Sequence, residues 1–597
     1  MATINGTEGA DTLAGTSAND MLNGLGGNDL LEGGGGSDRF DGGAGADTMV
    51  GSGTFFVDDS GDVIRSDSVG STVIASANFS TPQQVQAGRI VNISAAPGTA
   101  AINLTGGFGP ETLTGNDGPN VIDSGPLLAQ GRDSAYGLGG DDTYIVYDTA
   151  NFVFEDADRG FDTVLVAISP EISQREYSLI EFRGRTGDMQ SIELLAMADP
   201  TGTEAFRLAG NRINQTIVGN AGANVLAGNG GQDTLVGLGG DDTYDVQNTG
   251  VVVRESPGEG FDTIFVSSVE QTYVLSAGTS IEAMTLAGGF NVNAIGNELS
   301  QRITGTAGNN ILNGGGGSDT LVGLGGDDTY LVRGPGDFVI EANGEGADIV
   351  YTTVSYNLGE NEVEALSTVD NSTTDAIDLI GNFVSQTIVG NYGRNILNGG
   401  SGADTLIGLR GDDLYAVGDS RIIIREAAGE GADTVVTSVS YALGAGVSVE
   451  VLAAQDRAGT AGLALTGNEL GQTLAGTSGA DTLDGAGGAD LLIGGAGADR
   501  FSFTSALGAG NVDAVTDFGT GDRIGLSSAI FGAVGTALDP GEFVVGTAAG
   551  DADDRIVYDA ANGRLFYDAD GNGSGIAVLF ALLTPGTALT STGFDMI

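Results

Sequence analysis

The sequence predicts an all-β chain wound as a parallel β-solenoid, and three observations predict it. Aspartates recur every nine residues at Asp11, Asp20, Asp29, Asp38 and Asp47. That register returns in five later blocks, whose last aspartates are Asp142, Asp242, Asp328, Asp413 and Asp499. Between blocks the chain runs in β-branched stretches and turns without a long 3.6-residue period, so helix content should be very low.

Each nonapeptide divides into a loop of six and a strand of three. The loops Gly33-Gly34-Gly35-Gly36-Ser37-Asp38 and Gly42-Gly43-Ala44-Gly45-Ala46-Asp47 are the clearest. Their glycines permit positive φ and close backbone approach in a tight turn. The middle strand residue is apolar (Leu13, Leu22, Leu31, Phe40, Met49) and should point into a core. Two nonapeptides make an 18-residue turn with a loop on each edge, which stacks loops 18 residues apart above one another.

Positions 215, 224, 233 and 242 read Gln, Asn, Asp, Asp, as do 301, 310, 319, 328 and 386, 395, 404, 413. Positions 472, 481, 490 and 499 read Gln, Asp, Asp, Asp. A degenerate copy has Glu111 and Asn120, a four-residue insertion, then Asp133 and Asp142. The blocks are joined by a recurring phrase: Asp-Asp-Thr-Tyr-x-Val, or Asp412-Asp413-Leu414-Tyr415 in its last copy, then a strand ending in Glu (Glu155, Glu255, Glu341, Glu426). A second acid (Asp162, Asp262, Asp348, Asp433), a second Glu (Glu193, Glu282, Glu364, Glu450) and a Gly-Asn pair follow. These stretches should continue the solenoid as wider, irregular coils. The expected division is an N-terminal repeat block at 1–50, a degenerate module at 51–142, repeat modules at 143–242, 243–328, 329–413 and 414–499, and a C-terminal cap at 500–597.

Composition narrows the chemistry. The net charge is −57, and all 22 basic residues are arginine. Such a chain repels nucleic acid and anionic membranes and attracts cations. An acidic, glycine-rich chain could be disordered, but 40% of its residues are hydrophobic and fall at regular intervals. There is no Cys and no His, which removes disulfides, thiolate nucleophiles, most zinc chemistry and the usual general base. A bound metal must be held by oxygen, which points to Ca²⁺ or Mg²⁺. Residues 1–6 have neither a basic nor an apolar segment, so no N-terminal signal peptide is expected. No apolar run is long enough for a transmembrane helix.

The run of G-G-x-G-x-D-x-U-x nonapeptides resembles the RTX, or hemolysin-type, calcium-binding proteins. The resemblance implies a β-roll with each Ca²⁺ held between the loops of repeats n and n+2. The implied ligands are Asp11, Asp20, Asp29, Gly34, Gly36, Asp38, Gly43, Gly45 and Asp47, then Asp133 and Asp142. They continue with Asp233, Gly240, Asp242, Gly315, Gly317, Asp319, Asp328, Gly400, Gly402, Asp404 and Asp413. Asp481, Asp490, Gly495, Gly497 and Asp499 complete the set, for up to about 13 sites. Four pairs have Asp on both sides: 11 with 29, 20 with 38, 29 with 47, and 481 with 499. In the other regular blocks an amide faces an aspartate, which lowers site charge, or serves only as a structural ladder. The recurrent Glu and Asp between blocks read either as further ligands or as a solvated loop. Asp568, Asp570, Asn572 and Ser574 mimic half of an EF-hand loop, but the twelfth position is Leu579, so a strand turn is the expectation.

The segments Asp499-Arg500-Phe501-Ser502-Phe503, Val515-Thr516-Asp517-Phe518, Gly521-Asp522-Arg523-Ile524 and Asn562-Gly563-Arg564-Leu565 are similar to the cap of serralysin-type RTX proteases. There the cap ends in an uncleaved type I secretion signal, and the tail Gly593-Phe594-Asp595-Met596-Ile597 has the same acidic-then-apolar character. The resemblance implies the type I secretion apparatus as a partner and export to the cell exterior or bacterial surface. The protease module is absent, since there is no HExxH. No catalytic residue and no enzymatic activity are expected. The expected function is a secreted structural protein of a surface layer, matrix or adhesive that folds on Ca²⁺ and self-assembles through coil ends. Alternatives are a soluble secreted effector and, further off, a polysaccharide-acting enzyme. Cell-surface polysaccharide is a further candidate partner.

Overall fold

The computed structural model describes residues 1–107, 109–125, 132–157, 159–168, 176–179, 191–267, 272–288 and 291–597. The described elements are almost all strands, and the strands of the coils pair in parallel, as the sequence predicts. The described chain forms two compact units, Met1–Gly305 and Thr306–Ile597.

The first unit opens with the nonapeptide coils. Thr3–Asn5, Met21–Asn23 and Asp38–Asp41 stack on one side, and Thr12–Ala14, Leu30–Glu32 and Thr48–Gly51 on the other. Partners lie 18 residues apart, as in Thr3↔Met21 and Leu31↔Met49. The middle residues Leu13, Leu22, Leu31, Phe40 and Met49 are buried, and Phe55 stacks on Phe40 at 4.7 Å. One inward side chain per three-residue strand therefore builds the core. Past this block the regular coil gives way to a long strand pair, Val63–Ala75 beside Val85–Ala95, with register shifts along it. A single helical turn, Thr81–Gln84, precedes the second strand.

Regular coils then resume and alternate with wider ones. Thr216 pairs with Thr234, 18 residues on, whereas Thr143 pairs with Thr163 and Thr163 with Leu194. The wide coils keep the parallel stacking, with strands of four residues such as Thr163–Val166 against three in Thr216–Val218, and with longer connections. The four-residue insertion expected between Asn120 and Asp133 involves residues 126–131, outside the described residues.

The second unit repeats the pattern. Thr329 pairs with Ile349, Ile349 with Ala365, Ala365 with Thr387, and Thr387 with Thr405. Its C-terminal part changes character: Ile556–Asp559, Arg564–Tyr567 and Val578–Leu583 form an antiparallel meander. Tyr567 and Phe580 of the meander pack edge-to-face against Phe531, and Phe580 also against Phe503. The tail strand Phe594–Met596 joins in parallel to Arg523–Leu526, and Asp595 bridges Arg500 and Arg523. The EF-hand-like segment is the turn between the last two meander strands, where Asp570 accepts the Gly575 N–H.

Candidate metal centres

The sixth loop residue sits where one coil hands over to the next. Its backbone N–H points at the carboxylate one coil ahead. Asp11, Asp20 and Asp29 donate in this way to Oδ1 of Asp29, Asp38 and Asp47 at 2.7–2.8 Å. The same bond joins Asp481 to Asp499, Asn224 to Asp242, Asn395 to Asp413 and Gln386 to Asp404. It continues into the wide coils, from Asp142 to Asp162 and from Asp162 to Glu193. The stacked acids thus form a ladder along each edge of the coils, and one carboxylate oxygen of each is committed to it.

The second oxygen has a different environment. Oδ2 of Asp29, Asp38, Asp47, Asp142, Asp233, Asp242, Asp328, Asp404, Asp413, Asp490 and Asp499 is buried without a hydrogen-bond partner. Burial raises the carboxyl of Asp47, Asp233 and Asp499 to about 6, and that of Asp490, beside Asp513, to about 8. Backbone oxygens face the same space. A Cβ on Gly24 would collide with both Asp29 Oδ2 and the Gly42 carbonyl. Bare carboxylate and carbonyl oxygens turned toward each other in a buried loop repel unless a cation lies among them. Hard oxygen donors of this kind suit Ca²⁺. The predicted glycines lie in the same loops; Gly34 and Gly36 have φ of +83° and +95°. Gly402 does not take a positive φ; it is needed because a Cβ there would meet the Val384 carbonyl.

Three predicted aspartates differ. Oδ2 of Asp11, Asp20 and Asp481 accepts the N–H and hydroxyl of Thr7, Thr16 and Thr477. Thr16 and its neighbours hold the Asp20 carboxyl down at about 2. These loops carry threonine where the full motif has its second glycine, and the hydroxyl supplies a donor that the other loops lack. Asp133 lies in the ladder, accepting the Glu111 N–H at 2.9 Å, and Asp319 donates to Asp337 at 3.1 Å.

The amide positions satisfy themselves. Asn120 and Asn395 donate through Nδ2 to the carbonyls of Ile102 and Ile377, and Gln215 through Nε2 to that of Ile192. Their side-chain oxygens accept the N–H of Asn116, Asn391 and Asn211. An amide therefore brings its own donor to the place where an aspartate leaves a bare oxygen. The structural-ladder reading of these positions follows from this geometry.

A model of the RTX calcium-binding nonapeptide repeat (4 copies) matches residues 3–31, 14–49, 105–126, 210–244, 295–330, 380–415 and 466–501. No curated protein matches the chain. Most of the stacked loops with bare buried oxygens lie in the matched segments, Asp142 falling outside them: the chain is a β-solenoid built on RTX calcium-binding nonapeptide repeats.

Proposed function

We propose that this is a secreted, non-enzymatic structural protein of the cell surface or extracellular matrix that folds when it meets Ca²⁺ outside the cell. The carrying observation is the column of buried, unpartnered Oδ2 atoms along the ladder. Without cations these oxygens and a net charge of −57 favour expansion. With them, each occupied site stabilises the folded chain by mass action. Cytosol poor in free calcium would keep the chain open for export through a type I channel, with residues 500–597 as cap and signal.

Self-assembly has support of a different kind. In three modules the second strand after the block's last aspartate begins with an exposed apolar residue: Val252 at 39%, Phe338 at 53% and Ile423 at 55%. Repeated exposed apolar positions favour association. In this reading, coil ends and these positions join copies into filaments or a lattice, with cell-surface polysaccharide as the anchor.

The test is calcium removal from the purified chain near neutral pH. Chelator is expected to abolish the β circular-dichroism signal, and millimolar Ca²⁺ to restore it together with concentration-dependent assemblies visible by electron microscopy. A fully folded chelated chain would overturn calcium-coupled folding. A strictly monomeric calcium form at high concentration would overturn assembly, and turnover of a polysaccharide would overturn the non-enzymatic role.

A further inference from the structure

Four places gather acids from successive coils around one tyrosine. They are Asp142, Glu155 and Asp162; Asp242, Glu255 and Asp262; Asp328, Glu341 and Asp348; and Asp413, Glu426 and Asp433. The first two lie in the first unit and the others in the second. In each triad one oxygen per residue lies within 4.8 Å of the others. The residues are not solvated: Asp142, Glu155 and Asp162 are 1%, 5% and 0% exposed, and the other three triads are equally buried.

Eleven of the twelve carboxylates keep one buried oxygen with no hydrogen-bond partner, Asp262 being the exception. In the first triad these are Asp142 Oδ2, Glu155 Oε1 and Asp162 Oδ2, and the third and fourth triads match it. The remaining oxygens are fixed. Oδ1 of Asp162, Asp262, Asp348 and Asp433 accepts the N–H of the triad's first aspartate at 2.7–2.8 Å. The glutamate accepts the hydroxyl of Tyr144, Tyr244, Tyr330 or Tyr415. A glycine keeps the space clear: a Cβ on Gly137 would collide with Asp142 Oδ2, Tyr144 Oη and Glu155 Oε2. None of the twelve carboxylates is ion-paired with an arginine among the described residues.

We propose that each triad is a Ca²⁺ site in its own right, formed by one nonapeptide aspartate and two acids of the following wide coil, with the tyrosine orienting the glutamate. Three rigidly held carboxylates facing one point leave a concentrated negative charge, which a hard cation neutralises. Burial also pushes these carboxyls up, those of Glu155 and Glu255 to about 8. The position gives the site a role that the loop sites cannot fill. It ties the last 18-residue coil of a block to the first 20-residue coil beyond it, as in Thr234↔Val252 followed by Thr243↔Thr263. The inference rests on the calcium reading for the identity of the ion, and on neither export nor assembly.

The test uses the full chain carrying Glu155→Gln, Glu255→Gln, Glu341→Gln and Glu426→Gln together. Glutamine keeps an oxygen for the tyrosine and removes the charge. Equilibrium dialysis is expected to show four fewer Ca²⁺ per chain. Tb³⁺ luminescence excited through tyrosine is expected to fall severalfold, because the chain has no tryptophan. Unchanged stoichiometry with unchanged luminescence would overturn the proposal. Should the quadruple variant not fold, Tyr→Phe at 144, 244, 330 and 415 leaves the carboxylates in place. There, full Ca²⁺ stoichiometry with lost luminescence supports the sites, and retained luminescence overturns them. Asp29→Asn with Asp38→Asn and Asp47→Asn should lose loop ions and keep the luminescence. Wild-type chain that binds no Ca²⁺ in dialysis would sink the calcium reading itself, a result distinct from failure of the triads alone.

Discussion

An aspartate at the sixth loop position uses its two oxygens differently, and that difference separates structure from binding. Oδ1 of Asp29 accepts the Asp11 N–H, while Oδ2 lies bare near the Gly42 carbonyl. Asparagine at equivalent places donates to a carbonyl of the preceding coil, as Asn395 does to Ile377. Asp29→Asn is therefore expected to stabilise the calcium-free chain by about 1 kcal/mol, the net worth of one hydrogen bond, while removing Ca²⁺ binding at that loop. Melting curves in chelator near pH 5, where the calcium-free chain is expected to regain β structure, and in Ca²⁺ check both halves; a variant destabilised in chelator would contradict the account. The carboxylate ladders were legible in the nine-residue spacing, because two nonapeptides make one coil and every second aspartate falls at the same corner. The role of Thr7, Thr16 and Thr477 was not. A hydroxyl in the second loop position looks like a neutral replacement for glycine until the Oδ2 it satisfies is seen.

At the level of the coil, period 18 and the inward residues Leu22, Leu31 and Phe40 could be read directly, since one apolar residue per short strand leaves no other face to bury. The pair Val63–Ala75 and Val85–Ala95 could not, because its bulged register follows no repeat. The acid triads were half visible. The Glu and Asp recur at fixed distances from the block's last aspartate, yet they belong to the next coil, and sequence alone left them between ligands and a solvated loop. Only the fold brings them over Tyr144 and its counterparts. The glycine at the centre of each triad gives a check on this packing. At Gly323 a Cβ would strike both Asp328 Oδ2 and Tyr330 Oη. Gly323→Ala should cost about 1–3 kcal/mol, as overpacking does. Hydrogen exchange should localise the loss to coils near 323–348, since each coil of a solenoid contacts only its neighbours. Uniform loss across the chain would refute that locality.

For the molecule as a whole, the same buried acids set how pH and calcium act together. In the calcium-free folded chain, burial holds Asp142 at about 7, Glu155 at about 8 and Asp162 at about 6, and the corresponding groups of the other triads are raised too. In an unfolded chain such carboxyls titrate near about 4. The folded state thus holds more protons between those limits. The stabilisation these groups give is complete below the unfolded values and is lost as pH rises through about 6 to 8. The calcium-free chain, expected to lack β signal near neutral pH, should therefore recover part of it on acidification, with a melting temperature that rises as pH falls toward 5. Calcium reverses the sense of the dependence, because protons compete for the oxygens it needs. Half-saturating Ca²⁺ should fall as pH rises over the same interval, and the calcium-loaded chain should hold or gain stability there. Melting followed by circular dichroism at several pH values, with chelator and with millimolar Ca²⁺, measures both trends at once. A chelated chain whose melting ignores pH would mean that its buried carboxyls are neutralised by something other than protons or cations.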